Sequence, residues 1–186
     1  MSLALNSECV ATTANERAVD SAAFRQGMRL MAGAVCIVAT GRPGRRAGLT
    51  ATAVCSVSSE PPRLLACINK SAAAHGAIHL EGRLSVNVLS GAQQAVASRF
   101  STPLFQGEAK FAEGDWKEAH GVPVLGAACA AFVCSVAERV DAGSHTIFIC
   151  DVLGCSAALS PPENEGLLYF DGRYRHLAPS LPPAEA

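Results

Sequence analysis

The side chains with the most chemical reach in this 186-residue chain are hydroxyls, and they gather in one stretch, Gly48–Ser71 (GLTATAVCSVSSEPPRLLACINKS). Thr50, Thr52, Ser56 and Ser58 alternate there with Ala51, Ala53, Val54, Cys55 and Val57. Side chains this small form a wall against which a flat ligand can lie close to backbone amides; composition alone fits a plain Thr/Ser-rich strand pair equally well. Ser71 follows Asn69 and Lys70, where a hydroxyl can cap a helix and, beside a cation, take a phosphate. His75 and His79 stand at i, i+4, a spacing that can hold a metal, but no third ligand lies at motif spacing, so no metal site is expected. The eight cysteines (Cys9, Cys36, Cys55, Cys67, Cys129, Cys134, Cys150 and Cys155) contain no C-x-x-C pair. Zinc-ribbon and thioredoxin-like readings therefore lose their spacing argument, and reduced, mostly structural thiols in a cytoplasmic protein are expected. Dinucleotide (G-x-G-x-x-G), phosphate-loop (G-x-x-x-x-G-K-[ST]) and nucleophile-elbow (G-x-S-x-G) signatures are all missing.

Fifteen basic residues against sixteen acidic ones give a net charge of −1, which argues against nucleic acid as the main partner. Low charge with positive mean hydropathy points to extra buried surface, such as that of a homodimer. The longest uncharged apolar stretch, Val122–Ala137, holds Pro123 and Gly126 and falls short of the ~20 residues of a membrane span. The N-terminus has no basic region ahead of an apolar core, so no signal peptide is expected.

The positioning elements follow from pattern. Residues 1–19 read as a loose arm and 178–186, with three prolines, as a tail. A helix capped by Asp20 or Ser21 places Phe24, Met28 and Met31 on one face as core residues, and Gly33 ends it. Ala34–Thr40 is a strand that turns at Gly41–Arg46, with three arginines at a solvated tip, and pairs antiparallel with a strand running from Gly48 to Ser58. Glu60-Pro61-Pro62 makes a corner, and Arg63–Ile68 is the next strand. Ser71–Glu81 reads as a helix and Leu84–Leu89 as a strand with one wet or ligand-facing side. Ser90 caps a helix to Phe100. Residues 101–121 read as a long irregular segment of the kind used as lids or binding loops. Cys129–Val140 with His145–Leu153, and Leu167–Phe170 with Arg173–His176 across Asp171-Gly172, are hairpins. Hairpin-linked strands with about three helices in one domain (20–177) fit a small antiparallel β-barrel, mainly β with peripheral α.

Six segments together resemble the short-chain flavin reductases of the FMN-binding split-barrel fold: FRQGMRLMAGAVCIVAT, GLTATAVCSVSSEPPRLLACINKSA, GRLSVNVLS, ASRF, GSHTIFICDV and GLLYFDGRYR. That family includes reductase components of two-component aromatic hydroxylases such as 4-hydroxyphenylacetate 3-monooxygenase. The resemblance covers Phe24 to His176. It implies a homodimeric flavoprotein that uses NADH or NADPH to reduce FMN or FAD, with the reduced flavin diffusing to a separate monooxygenase. It places the isoalloxazine and ribityl chain against Thr50, Ala51, Thr52, Ala53, Val54, Ser56 and Val57. The ribityl phosphate falls at Cys67, Asn69, Lys70, Ser71 and Ala72, with Arg99 and Phe100 near the flavin phosphates. His145 matches a histidine beside the nicotinamide, and Tyr169 a further pocket residue. Small residues at Ala72–Ala74 depart from the family's pattern and shift phosphate contacts toward backbone; Ala53 and Val54 depart too, leaving FMN or FAD open. Hydride transfer between stacked rings needs position rather than acid–base groups, which suits a hydroxyl-rich wall. The alternatives are a non-catalytic module binding flavin or another flat cofactor, and an assembly protein with no flavin affinity.

Overall fold

Every residue of Cys36–Thr40 is buried, because that strand has core on both of its faces. In the computed structural model, which describes residues 20–157 and 166–177, it is β2 of a seven-stranded sheet. Cys36 and Val38 point into one apolar cluster with Leu64, Ala66, Ile68 and Phe148. Val35, Ile37 and Ala39 point into a second with Leu89, Val96, Phe100 and Leu167. Alternation on a strand explains both sets.

The elements run α1 (Ser21–Arg29), β1 (Gly33–Ala34), β2, β3 (Ala47–Ala51), β4 (Val54–Ser59), β5 (Pro62–Asn69), α2 (Ala73–Glu81), β6 (Arg83–Val88), α3 (Gln94–Ser101), β7 (Trp116–Ala119), β8 (Val122–Leu125), β9 (Ala130–Ala142), β10 (His145–Ala157), β11 (Leu167–Phe170) and β12 (Arg173–His176). The large sheet has the order β3-β2-β6-β9-β10-β5-β4, with every pairing antiparallel. Its two edge strands, β3 and β4, are consecutive in the chain and joined only by Thr52 and Ala53. Seven strands laid flat would separate those edges by about 29 Å at ~4.8 Å per gap, whereas the link reaches only ~11 Å. The sheet must therefore curl, and it closes through a covalent corner with no ladder between β3 and β4. This is a split barrel. Ala74 and Ile78 of α2 enter its core.

Several expectations are corrected. The first helix ends at Arg29 with Leu30 as its cap, and Gly33 opens β1 instead. Phe24, Met28 and Met31 are 56%, 45% and 66% exposed, so they are not core residues of this chain. Strand 34–40 divides because β1 pairs with β11 while β2 pairs with β3 and β6. The run from Gly48 to Ser58 is two strands, since the barrel must turn at Thr52–Ala53. The polar side of β6 is not wet: Ser85 and Asn87 are fully buried. Asn87 donates to the Ile37 carbonyl (3.1 Å) and to Ser85 Oγ (3.0 Å), and its own carbonyl accepts from Leu125 N–H (2.8 Å). Ser85 Oγ donates to the Pro123 carbonyl. Segment 101–121 is not irregular throughout: it forms a 3-10 helix (Gly107–Ala112) and the start of the β7–β8 hairpin, which the β6 network holds. Trp116 packs there on Phe100 and Phe111, with centroids 5.4 and 5.0 Å away.

Other expectations hold. Ser90 and Gln93 make a reciprocal capping box ahead of α3. Asp171 (φ 47°) and Gly172 (φ 74°) form the tight β11–β12 turn. Among the described residues Cys36, Cys55, Cys67, Cys134, Cys150 and Cys155 are free thiols. Burial pushes the Cys36 thiol up to about 11 and those of Cys134 and Cys150 up to about 12, which makes these three inert. The arm, the tail and Cys9 lie outside the described residues, and among those described no helix is long and apolar enough to cross a membrane.

Candidate functional site

The corner that closes the barrel also opens a cavity. Thr52 and Ala53 are exposed, and a Cβ added at Gly33 would lie 3.0 Å from Thr52 Cβ, so β1 runs hard against the corner. Facing it is the β11–β12 hairpin, where Tyr169 stands opposite Tyr174 in register. Their rings meet edge-on, with centroids 5.5 Å apart. Between them lies a cavity of about 370 Å³. Val35, Thr50, Ala51 and Thr52 form one wall, Tyr169, Gly172, Arg173 and Tyr174 the other, and Ser101 lies at the rim. Small residues on one side and two aromatic rings on the other suit a planar ligand. Among the described residues of this lining Arg173 is the only charged one, and none is a carboxylate, imidazole or thiol.

A second group lies along the same sheet face. The Cys67 amide donates to the Ala53 carbonyl at 2.9 Å. Two residues further along β5, Asn69 pairs with His145 of β10. The corner, Cys67, Asn69 and His145 therefore share one face in register. Asn69 Oδ1 accepts from both the amide and the hydroxyl of Ser71, each at 2.8 Å. The expected Ser71 cap is thus corrected: Ala72 is the cap residue of α2 and offers no side-chain acceptor. The first amides of α2 consequently face outward without a capping side chain, which suits an anion. His145 is half-buried and its Nδ1 lies 2.9 Å from Ser144 Oγ.

The structure does not bring every expected residue to these places. Thr50 Oγ1 donates to the Ala97 carbonyl at 2.7 Å, so its hydroxyl ties α3 to β3. Lys70 bonds Asp141 at 2.7 Å and holds that carboxyl below its usual range. Arg99 donates to the Ala109 carbonyl (2.9 and 2.6 Å) and stacks over Phe105. Phe100 is 1% exposed and supports β3 from within the core. Val54, Ser56 and Val57 lie along β4, half-buried or exposed, with Val57 carried outward at a bulge in the β4–β5 register. His75 bonds Thr146 Oγ1 at 2.9 Å, and among the described residues no third ligand joins it and His79.

Sequence reasoning missed Val35, Ser101, Gly172, Arg173 and Tyr174. The hairpin itself was legible; the signal for Tyr174 was its cross-strand register with Tyr169. Nothing local marks Val35 or Ser101, which the fold brings in from distant strands and helices.

Comparison with known proteins accords with this geometry. The family model described as "Flavin reductase like domain" matches residues 28–178. The FMN reductase (NADH) RutF of Pseudomonas syringae pv. syringae is 42% identical over 168 residues, 90% of this chain and 92% of that protein. The protein of the same name from Ancylobacter novellus is 40% identical over 164 residues, 87% of each. Among solved structures, BorF, the flavin reductase component of a bacterial two-component tryptophan halogenase, superposes with a TM-score of 0.77 at 30% identity, covering 87% of this chain and 100% of BorF. The Streptomyces globisporus NADH:FAD oxidoreductase SgcE6, solved with NAD and FAD fragments, superposes at 0.78 with 27% identity, covering 89% and 96%. A domain match spanning most of the chain, joined to relatives this similar over nearly their full lengths, places the protein in the flavin reductase-like domain family.

Proposed function

We propose that this protein is an NAD(P)H:flavin oxidoreductase that reduces FMN or FAD and releases it to a separate flavin-dependent monooxygenase. The observation that carries the reading is the corner cavity, walled by small residues on one side and two tyrosines on the other, with no carboxylate, imidazole or thiol among its described lining residues. When bound, flavin and nicotinamide supply the hydride chemistry themselves. The chain's part is to hold the rings. Ala51, Thr52 and Ala53 give a flat wall, and their small side chains let a ring approach the backbone. Tyr169 and Tyr174 close the opposite side and exclude water. The uncapped start of α2, with Ser71 and Asn69 beside it, takes the ribityl phosphate through backbone amides. His145, on the same face, stands where it can order the nicotinamide.

The relatives' names support the direction of reaction: NADH as reductant in both RutF proteins and in SgcE6. The halogenase that BorF serves supports a partner oxygenase. A homodimer belongs to the same reading. Phe24 and Met28 on α1, Met31 just beyond it, and Val57, Val140 and Leu153 on the large sheet are large, apolar and exposed. A second copy is the occupant that low net charge and positive mean hydropathy favour. A cytoplasmic location goes with it, since NAD(P)H is the reductant and Cys36, Cys55, Cys67, Cys134, Cys150 and Cys155 are free thiols.

The test is to mix the purified protein with NADH and excess FMN or FAD and follow nicotinamide absorbance. Rapid, flavin-dependent loss of NADH is expected. Flavin binding without NADH loss would favour the non-catalytic module and sink the reductase. Sedimentation at assay concentration is expected to give twice the chain mass.

A further inference from the structure

The Asp171–Gly172 turn is a wall with a cavity on each side. Gly172 lines the ring cavity. Asp171 lines a neighbouring groove of about 470 Å³, whose other side is α1 through Ala22, Arg25, Gln26, Arg29 and Leu30. Adjacent Cα atoms are ~3.8 Å apart, so a ligand crossing from one to the other passes over a single turn. α1 buries none of its side chains, so the core does not explain its placement. It is fastened at the turn instead. The Arg29 carbonyl accepts from Asp171 N–H at 2.7 Å. The Arg29 guanidinium lies 3.4 Å from both the Asp171 carbonyl and its carboxylate.

Charge along this path is unbalanced. The side chains of Arg25 in the groove and Arg173 in the ring cavity have no ion-pair or hydrogen-bond partner among the described residues; the exposed Arg42, Arg45 and Arg175 share that state, but of these only Arg25 and Arg173 line the two hollows. Asp171 is the only acid among the described residues of either lining, and Arg29 already answers it. Two unanswered guanidinium groups therefore flank the turn, one on each side, where the ring cavity opens. Guanidinium groups so placed recognise phosphate oxygens through paired N–H donors.

We propose that the groove between α1 and the β11–β12 turn takes the phosphate-bearing adenylate half of a dinucleotide whose planar ring occupies the corner cavity, with Arg25 and Arg173 as phosphate contacts. This rests on the flavin-reductase reading. The adenylate half is that of the nicotinamide dinucleotide: the ribityl phosphate of a flavin, and with it the adenylate of FAD, goes to the start of α2, and FMN has no adenylate. The cations expected from sequence for phosphate, Lys70 and Arg99, are engaged elsewhere, whereas these two are available.

The test compares wild type with Arg25→Ala, Arg173→Ala and the double variant in the full chain. It measures FMN and FAD dissociation constants by fluorescence, and KM and kcat for NADH at saturating FMN. Arg25→Ala, outside the ring cavity, is expected to raise the KM for NADH about fivefold with FMN affinity and kcat unmoved, and the double variant to lose about tenfold in adenylate-half affinity, equivalent to about 1.4 kcal/mol. A rise in the KM for NADH in Arg25→Ala that leaves both flavin dissociation constants alone assigns the groove to the nicotinamide dinucleotide. A rise confined to the FAD dissociation constant, weakening of FMN and FAD alike by Arg25→Ala, or no change in any constant, overturns the proposal. A readout independent of turnover is ADP titrated into flavin-free protein, with binding expected in wild type and lost in the double variant. Inactive wild type that still shows this ADP difference would sink the reductase reading and leave the groove standing. Inactive wild type with no ADP binding would overturn both, and active wild type with unchanged variants would overturn the groove alone.

Discussion

Ser85 and Asn87 of β6 and Thr52, Ser56 and Ser58 around the β3–β4 corner are the same kinds of side chain on strands of one sheet. On β6 the polar atoms are wholly enclosed and every one is answered: by the Ile37 and Pro123 carbonyls, by the Leu125 amide, and by each other. At the corner Thr52 is exposed on the wall of a cavity that the chain does not fill, and Ser56 is exposed further along β4. Small polar residues on a strand are therefore a structural device where the fold supplies their partners, and stay open to solvent or a ligand where it does not. Which case applies depends on what packs across the strand, in this molecule the β7–β8 hairpin for β6 and solvent for the corner.

Substitutions can break that contrast from either side. The largest effect is expected at Asn87. Asn87→Ala removes two donated bonds and one accepted bond and leaves the buried Leu125 amide without its acceptor. A loss of about 2–4 kcal/mol in urea unfolding is expected, with flavin affinity per folded molecule unchanged. A loss below ~1 kcal/mol would mean the network is not what holds the β7–β8 hairpin. The reverse behaviour is expected at Thr52. Thr52→Phe places a ring in the slot on an exposed residue, so FMN binding should weaken by about tenfold or more while stability shifts by no more than about 0.5 kcal/mol. Unchanged FMN affinity would move the flavin out of the corner cavity. A smaller and more selective effect is expected at His145, half-buried beside Asn69. His145→Ala should raise the KM for NADH about three- to tenfold and leave the FMN dissociation constant alone. Identical kinetics in the two proteins would remove His145 from the site.

How much of this was legible in the sequence depends on the range of the signal. The Asp171-Gly172 turn, the Ser90–Gln93 cap and the two long hairpins are encoded within a few neighbouring residues, and they read correctly. The break at Thr52–Ala53 is not local. No proline or required glycine marks it, and it exists because a seven-stranded sheet must curl to join its own edges. The burial of Asn87 was equally invisible, since its partners come from β2 and β8, distant in the chain. Phe24, Met28 and Met31 carry an impeccable helical stripe, yet periodicity tells only that a face is apolar, not whether its cover comes from the same chain. At the site, the hydroxyl-rich wall and Tyr169 were readable as residue types. Arg99 and Phe100 were placed at the flavin by resemblance, but the local packing of α3 turns one onto the Ala109 carbonyl and Phe105 and the other into the core.

Between the enclosed network and the open corner stands a half-exposed pair, Arg46 with Glu108, and it sharpens the contrast by titrating. Arg46 Nε and Nη2 donate to Glu108 Oε2 at 2.9 and 2.6 Å, and the Arg46 amide donates to Oε1 at 2.8 Å. The side chains are 20% and 37% exposed, and the guanidinium also lies 4.5 Å from the Phe111 ring centroid. The hydrogen bond from the Arg46 side chain, aided by its amide and its charge, holds the Glu108 carboxyl below its ordinary value of 4.5 despite some desolvation. A carboxylate whose folded value is depressed stabilises the fold above its unfolded value, and that stabilisation is lost as pH falls through the folded value. Glu108→Gln is therefore expected to cost about 0.5–1 kcal/mol at neutral pH, allowing for solvent screening of so exposed a pair. The gap between wild type and variant should begin to close as pH drops below the ordinary value of 4.5 and vanish once Glu108 is protonated in both states. The stacking of Arg46 on Phe111 persists in the variant, so the 3-10 segment stays in place and FMN affinity should not move. A gap that stays constant down through the acid range would show that Glu108 acts through packing rather than charge, and would put this pair with the enclosed network of β6.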